Sequence, residues 1–377
     1  MHIVRVRHLF YPDMPRDYFY ELSARQVKMG HEVDVLTWSK NGEYSEESVS
    51  DGFSVHRLSG LNFCINGMVQ EYPYLPRLPA KIATLRPDIV HAESHLFLTT
   101  VQAVRKARKL GLPSVVTVHG VFADRGVALN FAQCVYLRTF GLEVFRSAGR
   151  VICLTRGDVE EVVRFGCPLD KIRLIPNAVD TERFKPCKER DDNLVVWVGR
   201  FVPEKGLEYL IEAAKTVTEE VKDVQFLLVG YGPLKAKIMK LAYDRGLFSR
   251  SIRFKGPLSR DEVAKVLGKA AIFVFPSLKE GLPLSVLEAM ACGKPVIGSD
   301  TSGISDVVTH GQNGLLISPR NPKALANAVL TLLNDKNLTR RLGKNARQLV
   351  AEKYSWNVIT DKIEKVYYEM IEEAKKS

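Results

Sequence analysis

The sequence predicts two doubly wound α/β domains, each a mostly parallel sheet covered by helices on both faces. Three observations lead there. The chain has 377 residues, enough for two domains at roughly 150 residues each. Short β-branched runs alternate with helix-length amphipathic segments through both halves. The alternation pauses once, at Thr181–Asn193 (TERFKPCKERDDN), which is polar and holds Pro186, and so reads as a linker.

In the first half the strand-like runs are His2–Arg7, Val33–Trp38, Asp88–Ala92, Ser114–His119, Arg150–Leu154 and Ile172–Ile175. Helical patterns fall between them at Asp17–Met29, Leu96–Leu110 and Asn130–Ser147. Near-continuous apolar runs bounded by turns suit parallel strands buried on both faces. The second half repeats the theme with Leu194–Val198, Gln225–Val229, Ser251–Phe254, Ile272–Phe275, Pro295–Ile297 and Gly314–Ile317. Its helices are expected at Leu207–Glu220, Lys235–Arg245, Arg260–Gly268, Leu284–Cys292 and Lys323–Asn334. The last segment, Trp356–Lys375, carries Val358, Ile359, Ile363, Val366, Tyr367, Met370 and Ile371 at helical spacing. It follows a complete second domain, so it is expected to return to the first. The expected domains are therefore 1–180 and 181–355, with 356–377 as the returning helix.

Composition excludes several classes. Charged residues make up 26% and hydrophobic ones 46%, which is globular rather than disordered or low-complexity. No apolar run approaches the roughly 18 residues that span a bilayer, and Arg5 and Arg7 interrupt the opening stretch, which therefore does not read as a signal peptide. The six cysteines are scattered without a C-x-x-C pair, which fits neither a disulfide framework nor a structural zinc site. A reduced, cytoplasmic protein is expected. The net charge of +11 is uneven: residues 1–180 hold 22 basic and 19 acidic side chains, and residues 181–377 hold 32 and 24. Such an excess favours anionic partners, although a solvated lysine-rich surface explains it as well. No RNA-binding signature is present, so no nucleic-acid partner is expected.

Two segments carry chemistry. Pro276–Ile297 (PSLKEGLPLSVLEAMACGKPVI) sets Glu280 and Glu288 with seven residues between them, around a turn, Gly281-Leu282-Pro283, and the start of a helix. The free N–H groups of Leu284 and Ser285 and the helix dipole form an anion site beside Glu280. A carboxylate next to an anion site suits a ligand that is anionic in one part and hydroxyl-rich elsewhere, as a sugar nucleotide is. Two solvated glutamates on a surface helix are the plainer reading. The second segment, Val198–Gly206 (VGRFVPEKG), places Arg200 and Lys205 after a strand and before a helix. Two cations there suit a diphosphate, and an ordinary basic loop is again the alternative.

Together these segments resemble the retaining glycosyltransferases of the GT-B fold, in the large fourth sequence family (glycosyl transferases group 1). IPNAVDTERF (Ile175–Phe184), VGRFVPEKG, LLVGYGP (Leu227–Pro233), the E-x7-E pair, NGLLISP (Asn313–Pro319) and YSW (Tyr354–Trp356) occur in that family's order. The resemblance implies two Rossmann-like domains facing across a cleft, acceptor side first and donor side second. It implies that Arg200 and Lys205 hold the donor diphosphate, that Glu280 binds sugar hydroxyls, and that Glu288 binds the ribose. Lys255, Gly256 and Leu258 would border the base, and Gly281, Leu284 and Ser285 would line the donor site. His119, in Thr117-Val118-His119-Gly120, would reach the donor sugar from the first domain. The family's glycine pair after the first strand is missing: Pro12–Asp17 contains no glycine, so Arg16 is expected to act where backbone N–H groups act elsewhere.

The resemblance implies a hexosyltransferase that moves sugar from a nucleotide-diphosphate donor, with UDP or GDP as carrier, to a hydroxyl of a sugar, lipid or small metabolite, with retention. No D-x-D triplet stands at a strand end; Asp191-Asp192-Asn193 lies in the expected linker. No metal and no further cofactor are therefore expected. A phosphorylase, a sugar-nucleotide epimerase and a non-catalytic sugar-nucleotide-binding protein are the rival readings. Peripheral contact with the inner face of a membrane stays open beside the soluble reading, as do the donor sugar, the acceptor and the oligomeric state.

Overall fold

The computed structural model describes residues 1–10, 18–63, 71–121 and 126–376, with Ala128 as backbone only. Arg16 and the glycine-free segment 12–17 lie outside the described residues. The chain divides into two compact units: Met1–Pro176 with Thr360–Ser377, and Asn177–Ile359.

The first unit is built on a sheet of eight described strands in the order β10-β9-β8-β7-β1-β2-β4-β3. These are β1 (His2–Val6), β2 (Glu32–Trp38), β3 (Ser45–Ser48), β4 (Ser54–Leu58), β7 (Ile89–Glu93), β8 (Ser114–Val118), β9 (Arg150–Cys153) and β10 (Ile172–Leu174). The pairings are parallel except that β3 runs antiparallel to β4. A separate antiparallel pair joins β5 (Leu61–Asn62) to β6 (Pro73–Tyr74). The helices are α1 (Tyr18–Lys28), α2 (Leu78–Leu85), α3 (Leu98–Lys109), α4 (Val127–Tyr136), α5 (Leu142–Ser147) and α6 (Arg156–Arg164). The single helix expected over Asn130–Ser147 is interrupted: a π-helical turn, Leu137–Gly141, separates α4 from α5. Wide turns of this kind occur as local bulges within α-helices.

The second unit has a six-stranded parallel sheet in the order β13-β12-β11-β14-β15-β16. Its strands are β11 (Leu194–Arg200), β12 (Gln225–Tyr231), β13 (Ile252–Lys255), β14 (Ile272–Phe275), β15 (Val296–Ser299) and β16 (Gly314–Ile317). The helices are α7 (Leu207–Glu220), α8 (Lys235–Asp244), α9 (Arg260–Lys269), α10 (Leu284–Ala291), α11 (Ser302–Ser305), α12 (Pro322–Asn334) and α13 (Lys336–Lys353). Trp197, Phe201, Phe226, Phe273 and Phe275 are almost fully buried and anchor the core. Strand order reverses between β11 and β14, the switch point beyond whose carboxyl ends open α/β sheets bind ligands.

Thr181–Asn193 is not a linker. The Arg347 guanidinium donates to the carbonyls of Thr181 and Phe184 at 3.0 and 2.9 Å, and Phe184 is fully buried. Its polar side chains are largely exposed, while Phe184 and the bonds to Arg347 tie its start to the second unit. The change of unit comes at Asn177, whose side-chain amide donates to Leu282 O at 2.9 Å within the second unit.

Helix α14 (Trp356–Lys376) starts in the second unit and belongs to the first from Thr360 on. There Glu364, 4% exposed, accepts hydrogen bonds from Gln26 Nε2 (2.9 Å) and is bonded to His31 Nε2 (2.8 Å). Tyr367 Oη meets His91 Nδ1 at 2.5 Å, and Arg150 pairs with Glu373 at 2.5 Å. Among the described residues no helix is long and apolar enough to cross a membrane.

Candidate active site

In the second unit the candidate residues follow from the switch point. Strand β11 runs on to Arg200, two residues beyond the expected end, so Arg200 stands at the strand's tip rather than in the loop. It is exposed. A 3₁₀ turn, Pro203–Lys205, then presents Lys205. The neighbouring β14 opens directly into the segment that carries Glu280.

These two loops are stitched together. Ser277 Oγ and the Leu278 N–H both donate to Glu204 O at 2.7 Å. Gly206 has φ +60°, and a Cβ on it would lie 2.2 Å from Pro276 O, so no other residue fits this approach. The result is an ion pair between Lys205 Nζ and Glu280 Oε1. Ser277 Oγ also lies 2.5 Å from the same carboxylate oxygen, so its one proton is shared between Glu204 O and Glu280, and the Lys205 ammonium sits 5.1 Å from the Phe275 ring centroid. Gly281 is pressed from behind by α11: a Cβ on Gly303 would fall 1.3 Å from Gly281 O.

Pro283 caps α10 rather than entering its first turn. The first bonded amides are those of Val286 and Leu287, which donate to Pro283 O. The N–H groups of Leu284 and Ser285 thus remain available at the positive end of the helix. Glu288 lies one turn in and does not share a partner with Glu280. It accepts from Arg260 Nη2 at 3.2 Å. Burial pushes its carboxyl up to about 7 despite the opposing pull of the Arg260 guanidinium. Lys255 ends β13, and Gly256 and Leu258 lie on the connection from it to α9, which delivers Arg260 to that pair.

His119 belongs to the first unit, just past the end of β8. Its Nε2 lies 2.6 Å from Glu93 Oε2, and Arg5 Nη2 donates to Glu93 Oε1 at 2.6 Å. Behind them His91 Nε2 is bonded to Thr117 Oγ1 at 2.7 Å, and burial pushes its imidazole down to about 3. The sequence reading missed Arg5, Glu93, Asn177, Ser277 and Arg260. A usable signal existed for the first two, since charged residues stand inside otherwise apolar strand runs.

Among the described residues, His2, Glu32 and Asp34 form a group with metal-like spacing. It lies towards the starts of β1 and β2, at the opposite strand ends from His119. There Asp34 already bonds His2 Nε2 (2.6 Å) and His56 Nε2 (2.5 Å). Asp192, from the aspartate pair before β11, is held by Arg190 (3.0 Å) and Lys336 (3.1 Å).

Comparison with known proteins agrees with this architecture. The family described as "Glycosyl transferases group 1" matches residues 178–349, and "Glycosyltransferase Family 4" matches residues 17–183. An uncharacterized glycosyltransferase of Methanocaldococcus jannaschii is 32% identical over 75% of this chain and 76% of its own. An Escherichia coli UDP-Gal:alpha-D-GlcNAc-diphosphoundecaprenol alpha-1,3-galactosyltransferase is 33% identical over 75% and 76%. Sucrose-phosphate synthase from Thermosynechococcus elongatus superposes with a TM-score of 0.79 over 98% of each chain at 23% identity, which shows the fold. The chain has the GT-B fold and belongs to the group 1 glycosyl transferases.

Proposed function

We propose that this glycosyltransferase moves a hexose from a uridine-diphosphate sugar to an acceptor hydroxyl, with retention and without a metal ion. The observation that carries this reading is the stitched pair of loops at the β11/β14 switch point. There the Lys205–Glu280 ion pair, the exposed Arg200 and the N-terminus of α10 converge on one strand edge. In this reading Arg200, Lys205 and the Leu284 and Ser285 amides receive the diphosphate. Glu280 accepts hydrogen bonds from sugar hydroxyls, Glu288 from the ribose, and the Lys255–Leu258 connection borders the base. His119 contacts the donor sugar.

The bond from the sugar's anomeric carbon to the diphosphate oxygen breaks, and its electron pair leaves with the diphosphate. Fixed cations stabilise the charge that develops there. The acceptor oxygen bonds to the anomeric carbon on the face being vacated, and its proton passes to a leaving phosphate oxygen. The E. coli relative's use of a UDP sugar supports uridine as the base. In this reading the enzyme works in the cytoplasm.

A thermal-shift series against UDP, GDP and ADP tests the donor assignment. UDP at 100 times its Kd should stabilise the fold by roughly 2.7 kcal/mol. Stabilisation by none of the three would remove the reading, and a larger shift with GDP would change the base. Nuclear magnetic resonance of the product anomer, starting from an α-linked donor, tests retention.

A further inference from the structure

We propose that Glu93 is the positioning residue for His119: its carboxylate, clamped by Arg5, holds the imidazole through Nε2 and leaves Nδ1 as the ring atom offered to substrate. The role in transfer rests on the reading of His119 as a donor-sugar contact; the Glu93–His119 pair itself does not.

The register of the central strands builds the arrangement. Arg5 of β1 stands beside His91 of β7, and Glu93 of β7 stands beside Thr117 of β8. Side chains two apart on a strand share a face. Arg5, His91, Glu93, Thr117 and His119 therefore line one face of three adjacent strands, where an apolar core would be the ordinary choice. The two Glu93 oxygens divide their hydrogen bonds: Oε1 accepts from Arg5 and Oε2 faces His119 Nε2, both at 2.6 Å, while His91 Nε2 stands 3.8 Å from Oε1. Arg5 is fixed in turn. It is fully buried, donates to Ser23 Oγ at 3.2 Å and Phe19 O at 3.4 Å, and lies 4.2 Å over the Phe19 ring.

Charge decides the tautomer. Burial alone would push the Glu93 acid up, but the hydrogen bond from His119 and the neighbouring His91, His119 and Arg5 charges outweigh it and hold the group well below the usual carboxylate range. An ionised carboxylate only accepts hydrogen bonds. The proton between Oε2 and Nε2 therefore sits on the imidazole, and Nδ1 faces away from the pair. The His119 side chain is 37% exposed, against 0% for Arg5 and 5% for Glu93. The chain of contacts thus begins in full burial and ends on a ring open to ligand.

Stability does not explain such a pair, since well-packed apolar residues commonly replace a buried ion pair at no cost. Placing an imidazole in one tautomer and one orientation does explain it. The same division of labour, a buried carboxylate orienting a working histidine, recurs in enzymes of unrelated fold.

The test has two arms. In the unmodified protein labelled with ¹⁵N-histidine, long-range proton–nitrogen correlation reads which ring nitrogen of His119 bears hydrogen, with the resonance assigned by its loss in His119→Ala. Hydrogen on Nε2 is expected; a ring protonated on Nδ1 alone would overturn the proposal whatever His119 does in transfer. The second arm compares Glu93→Gln, His119→Ala and the double variant. Glu93→Gln should lower kcat/KM about 100-fold, the loss expected from a misplaced reacting group. In the His119→Ala background it should change little. Equal losses in both backgrounds would make Glu93 merely structural. Because Glu93→Gln leaves Arg5 without its counter-charge, Arg5→Met/Glu93→Gln is measured alongside and should show the same dependence on His119. Wild-type kinetics in His119→Ala would refute the donor-contact reading and leave the nitrogen measurement to judge the pair.

Discussion

Arg260, the first residue of α9, donates to the carboxylate of Glu288 in the middle of α10 across 3.2 Å. The contact joins the connection proposed to border the base to the side chain proposed to hold the ribose. It keeps a buried carboxyl oriented whose charge is costly there.

That cost gives a pH signature. The Glu288 carboxyl is raised from 4.5 to about 7 by burial. Between those values the folded protein holds a proton that the unfolded chain has released. The contribution of this group to stability is therefore largest below pH 4.5 and is lost as pH rises through about 7. Melting temperatures of wild type and Glu288→Gln, measured from pH 5 to 8, should diverge in favour of the variant as pH rises. If the carboxylate form holds the ribose, donor KM in the wild type should fall over the same range and stay flat in Glu288→Gln.

Lys205→Ala and Arg200→Ala should each slow transfer by 10²–10³, or about 2.7–4 kcal/mol, the usual loss when one fixed contact to a developing charge is removed. Steady-state kinetics at saturating acceptor measures this. Rates within fivefold of wild type for both would remove the diphosphate assignment.

Chelation should leave transfer largely intact, because protein cations are proposed to neutralise the leaving group. The measurement is the rate in EDTA, then with Mg²⁺ or Mn²⁺ restored. A rate that vanishes and returns with the metal would reject the metal-independent mechanism.

Gly303→Ala should damage the site from behind. A Cβ there would lie 1.3 Å from Gly281 O, so the segment carrying Glu280 must move. A stability loss of about 1–3 kcal/mol is expected from such overpacking. Weaker UDP binding in a variant that is still folded would separate the effect on the site from the effect on the fold.

Much of this architecture was legible in the chain. Runs such as Leu194–Val198 and Ile272–Phe275 have uninterrupted apolar character, and β14, Ile272–Phe275, coincides with its expected bounds. By contrast β3, Ser45–Ser48, is exposed at all four residues and carries no apolar pattern to read. Thr181–Asn193 looked like a linker because its polarity was visible and its partner, Arg347, lay more than 150 residues away. Separation along the chain also hid the contacts of Glu93, which lies 88 residues from Arg5 and 26 from His119. Arg5 and Glu93 stand out within their strands and His119 follows β8, but only the order β8-β7-β1 makes them neighbours. The hydrogen bond of Ser277 to Glu280 was hidden differently, since a serine three residues before a glutamate has no distinguishing spacing.

Helix α14 also fixes an order of events. Residues 1–176 leave the ribosome well before Glu364 and Tyr367, which complete the buried hydrogen bonds of Gln26, His31 and His91. Until they arrive, the early strands hold polar groups with no interior partner and part of their apolar face uncovered. The second unit, Asn177–Ile359, has all of its own residues before that moment. The unit whose strands are made earlier is therefore the one completed later.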